Sequence, residues 1–325
     1  MPPFEKPRVE YAYEVDAQIR ALRRHKERRK IPAKAPDRLL LATWNIANLG
    51  DPGQQRRDDD HRLIAELLGW FDLVAVQEVH DDSSALRAVH RHLPPEYRLI
   101  FSDAGGNEER AAFVYDSAKV TLLEKVGEIA IPPAAVRHIR LPGITQGFGG
   151  FDRNPYLAGF RVGALDFLLV NVHLYFGSDK GATSKRDMNR RALEAYAVAR
   201  WADLRRTSPF AYSRNIIALG DFNLPKIDPA DPIYAALTRR GLRLPEHSTK
   251  VGSNLAGDRY YDQLAFFPPG ETERALVESA AVFDFDGAVF STLWQRTHEK
   301  EPRLFFDFLR YYLSDHRILW TELRP

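Results

Sequence analysis

Asp221 and Asn223 stand two positions apart in Gly220-Asp221-Phe222-Asn223, directly after the apolar run Ile216-Ile217-Ala218-Leu219. Such a run, rich in β-branched residues, reads as a buried strand, and residues two apart on an extended chain point the same way. A carboxylate and a carboxamide therefore project together from the strand's end, with Phe222 turned back into the core. That pair suits a metal-bound water and a phosphate oxygen. A Gly-Asp turn after a strand is also ordinary turn chemistry, so the weight rests on repetition. Asn45 near the end of Leu39–Ile46, Glu78 near the end of Leu73–Val79 and His173 at the end of Asp166–His173 are polar residues closing apolar runs in the same way. Ligand-binding groups in layered α/β folds gather at strand ends, on loops held by a rigid scaffold.

The elements that must carry these residues follow from the pattern. Strands are predicted at 39–46, 73–79, 97–101, 111–115, around 159–162, and at 166–173, 216–219 and 261–267. A final hairpin-like pair is predicted around 305–309 and 317–323. Helices are predicted at 62–68, from the acidic and serine cluster at 81–84 to about 92, at 184–205 and at 232–240. Glycine-rich 142–155 reads as a mobile loop, and 102–110 and 177–185 as further loops. Before this domain, Tyr11, Val15, Ile19 and Leu22 recur at helical spacing, predicting a helix over about 10–30, and Pro32 and Pro36 mark a linker. The chain divides into a basic helical extension at 1–37 and one α/β domain at 38–325.

Composition bounds the function. The 325 residues are 44% hydrophobic, enough for one large domain, and no apolar run approaches the length of a membrane span. The absence of cysteine excludes thiolate zinc sites, disulfides and cysteine nucleophiles. With no secretory h-region, a cytoplasmic location is the expectation. Net charge is +2, yet the segment 20–30 carries seven Lys and Arg against Glu27, a local +6 that leaves about −4 for the rest. A global basic field for nucleic acid is absent, and any electrostatic footprint must be local.

With Ser314-Asp315-His316 added, an ordered set emerges: Trp44-Asn45-Ile46, Gln77-Glu78, Asn171-Val172-His173, Gly220-Asp221-Phe222-Asn223, Tyr260-Tyr261-Asp262 and Ser314-Asp315-His316. This set resembles the endonuclease/exonuclease/phosphatase superfamily, from about residue 39 to the C-terminus. The resemblance implies a two-layered β-sandwich flanked by helices, with the site at one end. Within the superfamily the deoxyribonuclease I-like branch is the nearest likeness. Its Arg-x-Pro element resembles Arg153-Asn154-Pro155, its Glu-Arg pair resembles Glu109-Arg110, and its Phe-Asp-Phe segment resembles Phe283-Asp284-Phe285. Its Tyr-Asp-basic strand resembles Tyr261-Asp262-Gln263, with glutamine replacing the basic residue. That branch's disulfides cannot form here. The Trp-Cys-Asp-Arg signature of inositol-polyphosphate 5-phosphatases is missing. So is the Gln-Glu-Thr-Lys motif of abasic-site endonucleases, since Val79-His80 follow Glu78.

Phosphodiester hydrolysis needs an activated water, charge neutralisation and a stabilised leaving group. The hard oxygen donors Asn45, Glu78 and Asp315 suit Mg²⁺ or Mn²⁺, and Asp221 and Asn223 suit a water, the scissile phosphate or a second ion such as Ca²⁺. His316 beside Asp262 makes an acid–base pair. His173 and Arg153 are assigned to nonbridging phosphate oxygens, with Arg153 as a bidentate fork and Glu109 orienting His173. Trp44 and Tyr115 read as core residues. The expectation is a divalent-metal-dependent phosphodiesterase, a nuclease with DNA before RNA as its partner and no membrane. The alternatives are a phosphomonoesterase or lipid phosphodiesterase on the same site and, more remotely, a non-catalytic binding module.

Overall fold

The computed structural model describes residues 5–177, 184–268 and 280–325. Two sheets form its centre. The first runs β10-β11-β1-β2-β4-β3 and the second β5-β6-β7-β8-β9. The first comprises β1 (Leu39–Leu49), β2 (Leu73–His80), β3 (Tyr97–Phe101), β4 (Glu109–Asp116), β10 (Ala281–Phe283) and β11 (Ile318–Leu323). The second comprises β5 (Thr121–Glu128), β6 (Tyr156–Val162), β7 (Leu165–His173), β8 (Ile216–Asp221) and β9 (Asp262–Phe266). Helices α1 (Val15–Arg28), α2 (Asp58–Leu68), α3 (Ser84–His90), α4 (Pro133–Val136), α5 (Lys185–Arg206), α6 (Pro232–Thr238), α7 (Ser291–Thr297) and α8 (Pro302–Tyr312) surround them.

The central strands are buried on both faces, which is why they read as continuous apolar runs. Along β1, Leu39 and Leu41 enter the core between the sheets, while Leu40, Ala42, Trp44 and Ile46 enter the core under the outer helices. On the far side Val170, Val172, Ala218 and Phe222 pack with Ala192, Ala195 and Ala199 of α5. Helix, sheet, sheet and helix thus stack as an α/β sandwich.

Topology gathers the polar strand ends. The pairs β1–β2 and β7–β8 are parallel, so Asn45, Glu78, His173 and Asp221 lie at ends of the same polarity. Antiparallel neighbours bring their beginnings to that edge: Glu109 opposite His80, Asp262 opposite Asp221, and Asp315-His316 just ahead of β11, which runs against β1.

Some expectations need correcting. The proposed strand at 305–309 is part of α8: Phe305, Phe308, Leu309 and Tyr312 have helical spacing, and Pro302 sits in the helix's first turn. There is no hairpin there, because β11 pairs with β1 and β10. The segment 142–155 is anchored rather than loose, with Phe148 and Arg153 buried and the Asp152 backbone bonded to Gly106 and Glu194. The expected loop at 177–185 lies partly outside the described residues. The described part of the extension, 5–37, is packed onto the domain: Val15, Leu22 and Ile31 belong to its buried core.

Candidate active site

Backbone irregularity aims the first acidic group. The β1–β2 register shifts between Asn45 and Leu49, and the β2–β4 register shifts between Val76 and Val79. Within this bulged region Glu78 takes φ +59° and Asn48 φ +48°, a conformation a non-glycine residue adopts only when its surroundings enforce it. The Glu78 carboxylate accepts from the Asn48 backbone N–H and from Asn45 Nδ2, both at 2.8 Å. Burial and the neighbouring Glu109 push its pKa up. Asn45 Nδ2 also donates to Asp221 Oδ2 at 3.0 Å, so one amide joins the two sheets' carboxylates. Its Oδ1 is buried without a hydrogen-bond partner among the described residues.

Gly220 is required where it stands: it has φ +133°, and a Cβ there would lie 2.1 Å from the Val172 carbonyl oxygen. The close approach of β8 to β7 positions Asp221 beside His173. Phe222 is buried in the core as its parity demands. Asn223 departs from simple parity. With φ +50°, its backbone N–H donates to Asp221 Oδ1 at 2.8 Å while its Nδ2 donates to the Leu174 carbonyl at 2.7 Å.

Asp221 Oδ2 is the point of convergence. His173 Nε2 lies 3.7 Å away and His316 Nε2 3.8 Å. His316 Nδ1 is 2.8 Å from Asp262 Oδ2, which fixes the ring with Nε2 turned to Asp221. The His316 backbone is pinned by Ser314 Oγ, which accepts its N–H at 2.9 Å, and by Trp44 Nε1, which donates to its carbonyl at 2.8 Å. Trp44 is therefore a core residue that also holds the site. His173 Nδ1 faces Glu109 Oε2 at 3.1 Å.

The two imidazoles are driven in opposite directions. Burial, helped by nearby Arg153, pulls His173 down to about 4. Burial acts the same way on His316, but the carboxylates of Asp262 and Asp221 outweigh it and hold that ring well above the usual histidine value.

Two groups sit differently from their assignments. Arg153 is buried and its guanidinium faces protein groups: Glu109 Oε2 at 3.2 Å and the carbonyls of His173 and Leu174 at 3.3 and 3.4 Å. In this conformation it braces the His173 strand end rather than presenting a fork to solvent. Asp315 is partly exposed and pairs with Arg310 at 3.1 Å, so Asn45 and Glu78 meet directly while Asp315 acts on Glu78 through its charge. Among the described residues, the acid–histidine group with ligand atoms all within 4.8 Å of one another is Asp221, Asp262 and His316.

Beneath the site, the motifs name Gln77 and Asn171 without giving them a role, and sequence reasoning misses Arg191 and Glu194. Gln77 Nε2 donates to Asn171 Oδ1 at 2.7 Å, and Asn171 Nδ2 donates to the Val76 and Ala112 carbonyls at 3.0 Å, stitching the two sheets together. From α5, Arg191 donates to the Tyr175 and Asn223 carbonyls at 2.9 and 3.0 Å and to that of Phe176. Buried Glu194 accepts from the backbone N–H groups of Tyr175 at 2.9 Å and Asp152 at 3.2 Å.

No family model matches the chain, and no curated protein matches its sequence. Solved structures share its fold at low sequence identity. An endonuclease/exonuclease/phosphatase family protein from Bacteroides thetaiotaomicron superposes with TM-score 0.56 at 17% identity, over 88% of this chain and 94% of its own. The mannosyl-6-phosphatase Bt3783 of the same organism gives 0.54 at 16%, over 88% and 99%. D. rerio TDP2 complexed with single-strand DNA product gives 0.53 at 16%, over 89% and 99%. The chain shares the two-sheet, helix-flanked fold of these proteins, the fold that the motif resemblance implied.

Proposed function

We propose that this chain is a divalent-metal-dependent phosphodiester hydrolase, and specifically a nuclease. The observation carrying this reading is the pair of imidazoles on one carboxylate oxygen: His316, hydrogen-bonded to Asp262, and His173, beside Glu109, both face Asp221 Oδ2. Environments that push two titratable groups apart mark an acid and a base. His173, kept neutral, is suited to accept the proton of the attacking water. His316, kept charged, is suited to donate to the leaving oxygen, with Asp262 stabilising the imidazolium.

The donor set fits a hard cation. Asn45 Oδ1 is an orphaned acceptor, and the Nδ2 of the same amide reaches the carboxylates of both Glu78 and Asp221. Asn45 and Glu78, with Asp315, would hold Mg²⁺ or Mn²⁺. When bound, such an ion neutralises phosphate charge and polarises the phosphoryl oxygen.

A phosphomonoesterase is the second reading. It is favoured by the near-neutral net charge and by the equally good superposition on a mannosyl-6-phosphatase. The test is one panel with Mg²⁺: plasmid DNA, single-stranded DNA, RNA, a sugar phosphate, a phosphoinositide and a sphingolipid. Cleavage of nucleic acid that chelator and His316→Ala both abolish is expected. Hydrolysis confined to the monoester or the lipids would overturn the nuclease reading, and the DNA and RNA arms decide between those polymers.

A further inference from the structure

A row of rings leads from solvent to the catalytic imidazole. The Tyr261 ring lies 5.8 Å from that of His316 at 32°, and the Phe176 ring meets Tyr261 edge to face at 6.2 Å and 88°. Phe176 is 46% exposed and meets the ring that flanks the His316 imidazole instead of standing alone on the surface. It is nonetheless held in place. Buried Arg191 clasps the Tyr175 and Phe176 carbonyls and places its guanidinium carbon 5.5 Å from the Phe176 ring. The chain thus fixes an apolar ring in water, one ring away from the groups that act on a phosphate.

Resting on the nuclease reading, we propose that Phe176, backed by Tyr261, is a stacking platform for a nucleobase adjoining the scissile phosphate, and that the substrate is single-stranded or splayed nucleic acid. A phenylalanine face offers no hydrogen bond to a sugar hydroxyl, but it offers every base a π surface. Bases inside a duplex have no free face, whereas those of a single strand do. The charge distribution points the same way. Outside the segment 20–30 the chain carries about −4, so neutralisation of many duplex phosphates is not available to supply affinity. Stacking supplies it without sequence preference.

Dinucleotides define the scissile bond and test the platform. The native protein with Mg²⁺ is assayed on thymidylyl-thymidine and on analogues with a tetrahydrofuran residue replacing either or both nucleosides. The native kcat/KM should favour the base-bearing compound by about tenfold or more over the doubly abasic one. In Phe176→Ala that ratio should fall to within about twofold of unity. Phe176→Leu, which keeps apolar bulk without a π face, should also lower it, and Phe176→Trp should preserve it. A native-like ratio in a folded Phe176→Ala protein would overturn the platform while leaving the nuclease reading intact. Failure of the native protein to cleave any nucleic acid, dinucleotides included, would overturn both.

Discussion

Asp221 Oδ2 has three partners on three different strands or strand approaches: Asn45, His173 and His316. Removing a positioned acid or base should therefore be costly. His316→Ala and His173→Ala are each expected to lower turnover by roughly 10²-fold or more, and Asp262→Asn should be comparably severe because the imidazolium loses its stabilising carboxylate. Wild-type turnover in a folded His316→Ala protein would make the pair structural. Metal binding separates the two possible ligand sets. If Asn45, Glu78 and Asp315 hold the ion, Glu78→Gln should weaken Mn²⁺ binding by ten- to a hundredfold by calorimetry, with Asp262→Asn much closer to native. The reverse order would move the ion to Asp221, Asp262 and His316. Asn45, Glu78, His173 and Asp221 were legible in the chain because each closes an apolar run, whereas Asp262, Asp315 and His316, which open or precede their strands, were legible through the motif resemblance. The turn of Asn223 toward Leu174 was not legible. Parity assumes an extended chain, and φ +50° breaks that assumption.

At the scale of the element, α5 ties together the loops around the site. Arg191 holds the segment after β7 and the one after β8, and Glu194 holds the Asp152 and Tyr175 backbones. Nothing in the sequence distinguished Arg191 from the other arginines of this helix. Its role depends on burial that no local pattern reveals. The hairpin expected at 305–309 failed for a related reason, since a short aromatic run carries both periods and the helix turn through Pro302 decides between them. Glu194 makes a stability prediction. Burial raises its pKa to about 7, against the favourable Tyr175 N–H and Arg190. A carboxyl whose folded pKa lies above its unfolded value contributes stability that is present below the unfolded pKa, near 4.5, and lost as pH rises through the folded one. The unfolding free energy of the native protein relative to Glu194→Gln should thus decline between pH 5 and pH 8, by on the order of 3 kcal/mol. Denaturant titrations at the two pH values measure it. A constant difference would show that Glu194 stays ionised throughout.

For the molecule as a whole, the basic N-terminal helix is bound to the domain by both its charges and its apolar side. Its cations are partly engaged by the domain: Arg23 pairs with Glu66 at 2.7 Å, Arg29 with Asp284, and Lys26 lies over the Trp70 ring at 5.1 Å. Its apolar face is fully engaged, with Leu22 buried, Gln18 accepting from the Phe290 backbone N–H at 2.7 Å, and Tyr11 against Phe290 and Phe308. Arg20, Arg24 and Lys30 face solvent. A phosphate clamp would act through those three, releasing counterions and steepening the dependence of affinity on salt. A packing role would act through Leu22. The two make separate predictions. Leu22→Ala should destabilise the protein by about 2–5 kcal/mol, as large-to-small changes in a buried cluster do, and deletion of residues 1–37 should lower Tm sharply by uncovering the surface beneath. Charge reversal at Arg20, Arg24 and Lys30 together should leave both the KM for long single strands and the salt slope unchanged if, as proposed, affinity rests on the site and its aromatic row. A flattened slope in the charge-reversed protein, with Tm unaltered, would instead make the helix a nucleic-acid clamp.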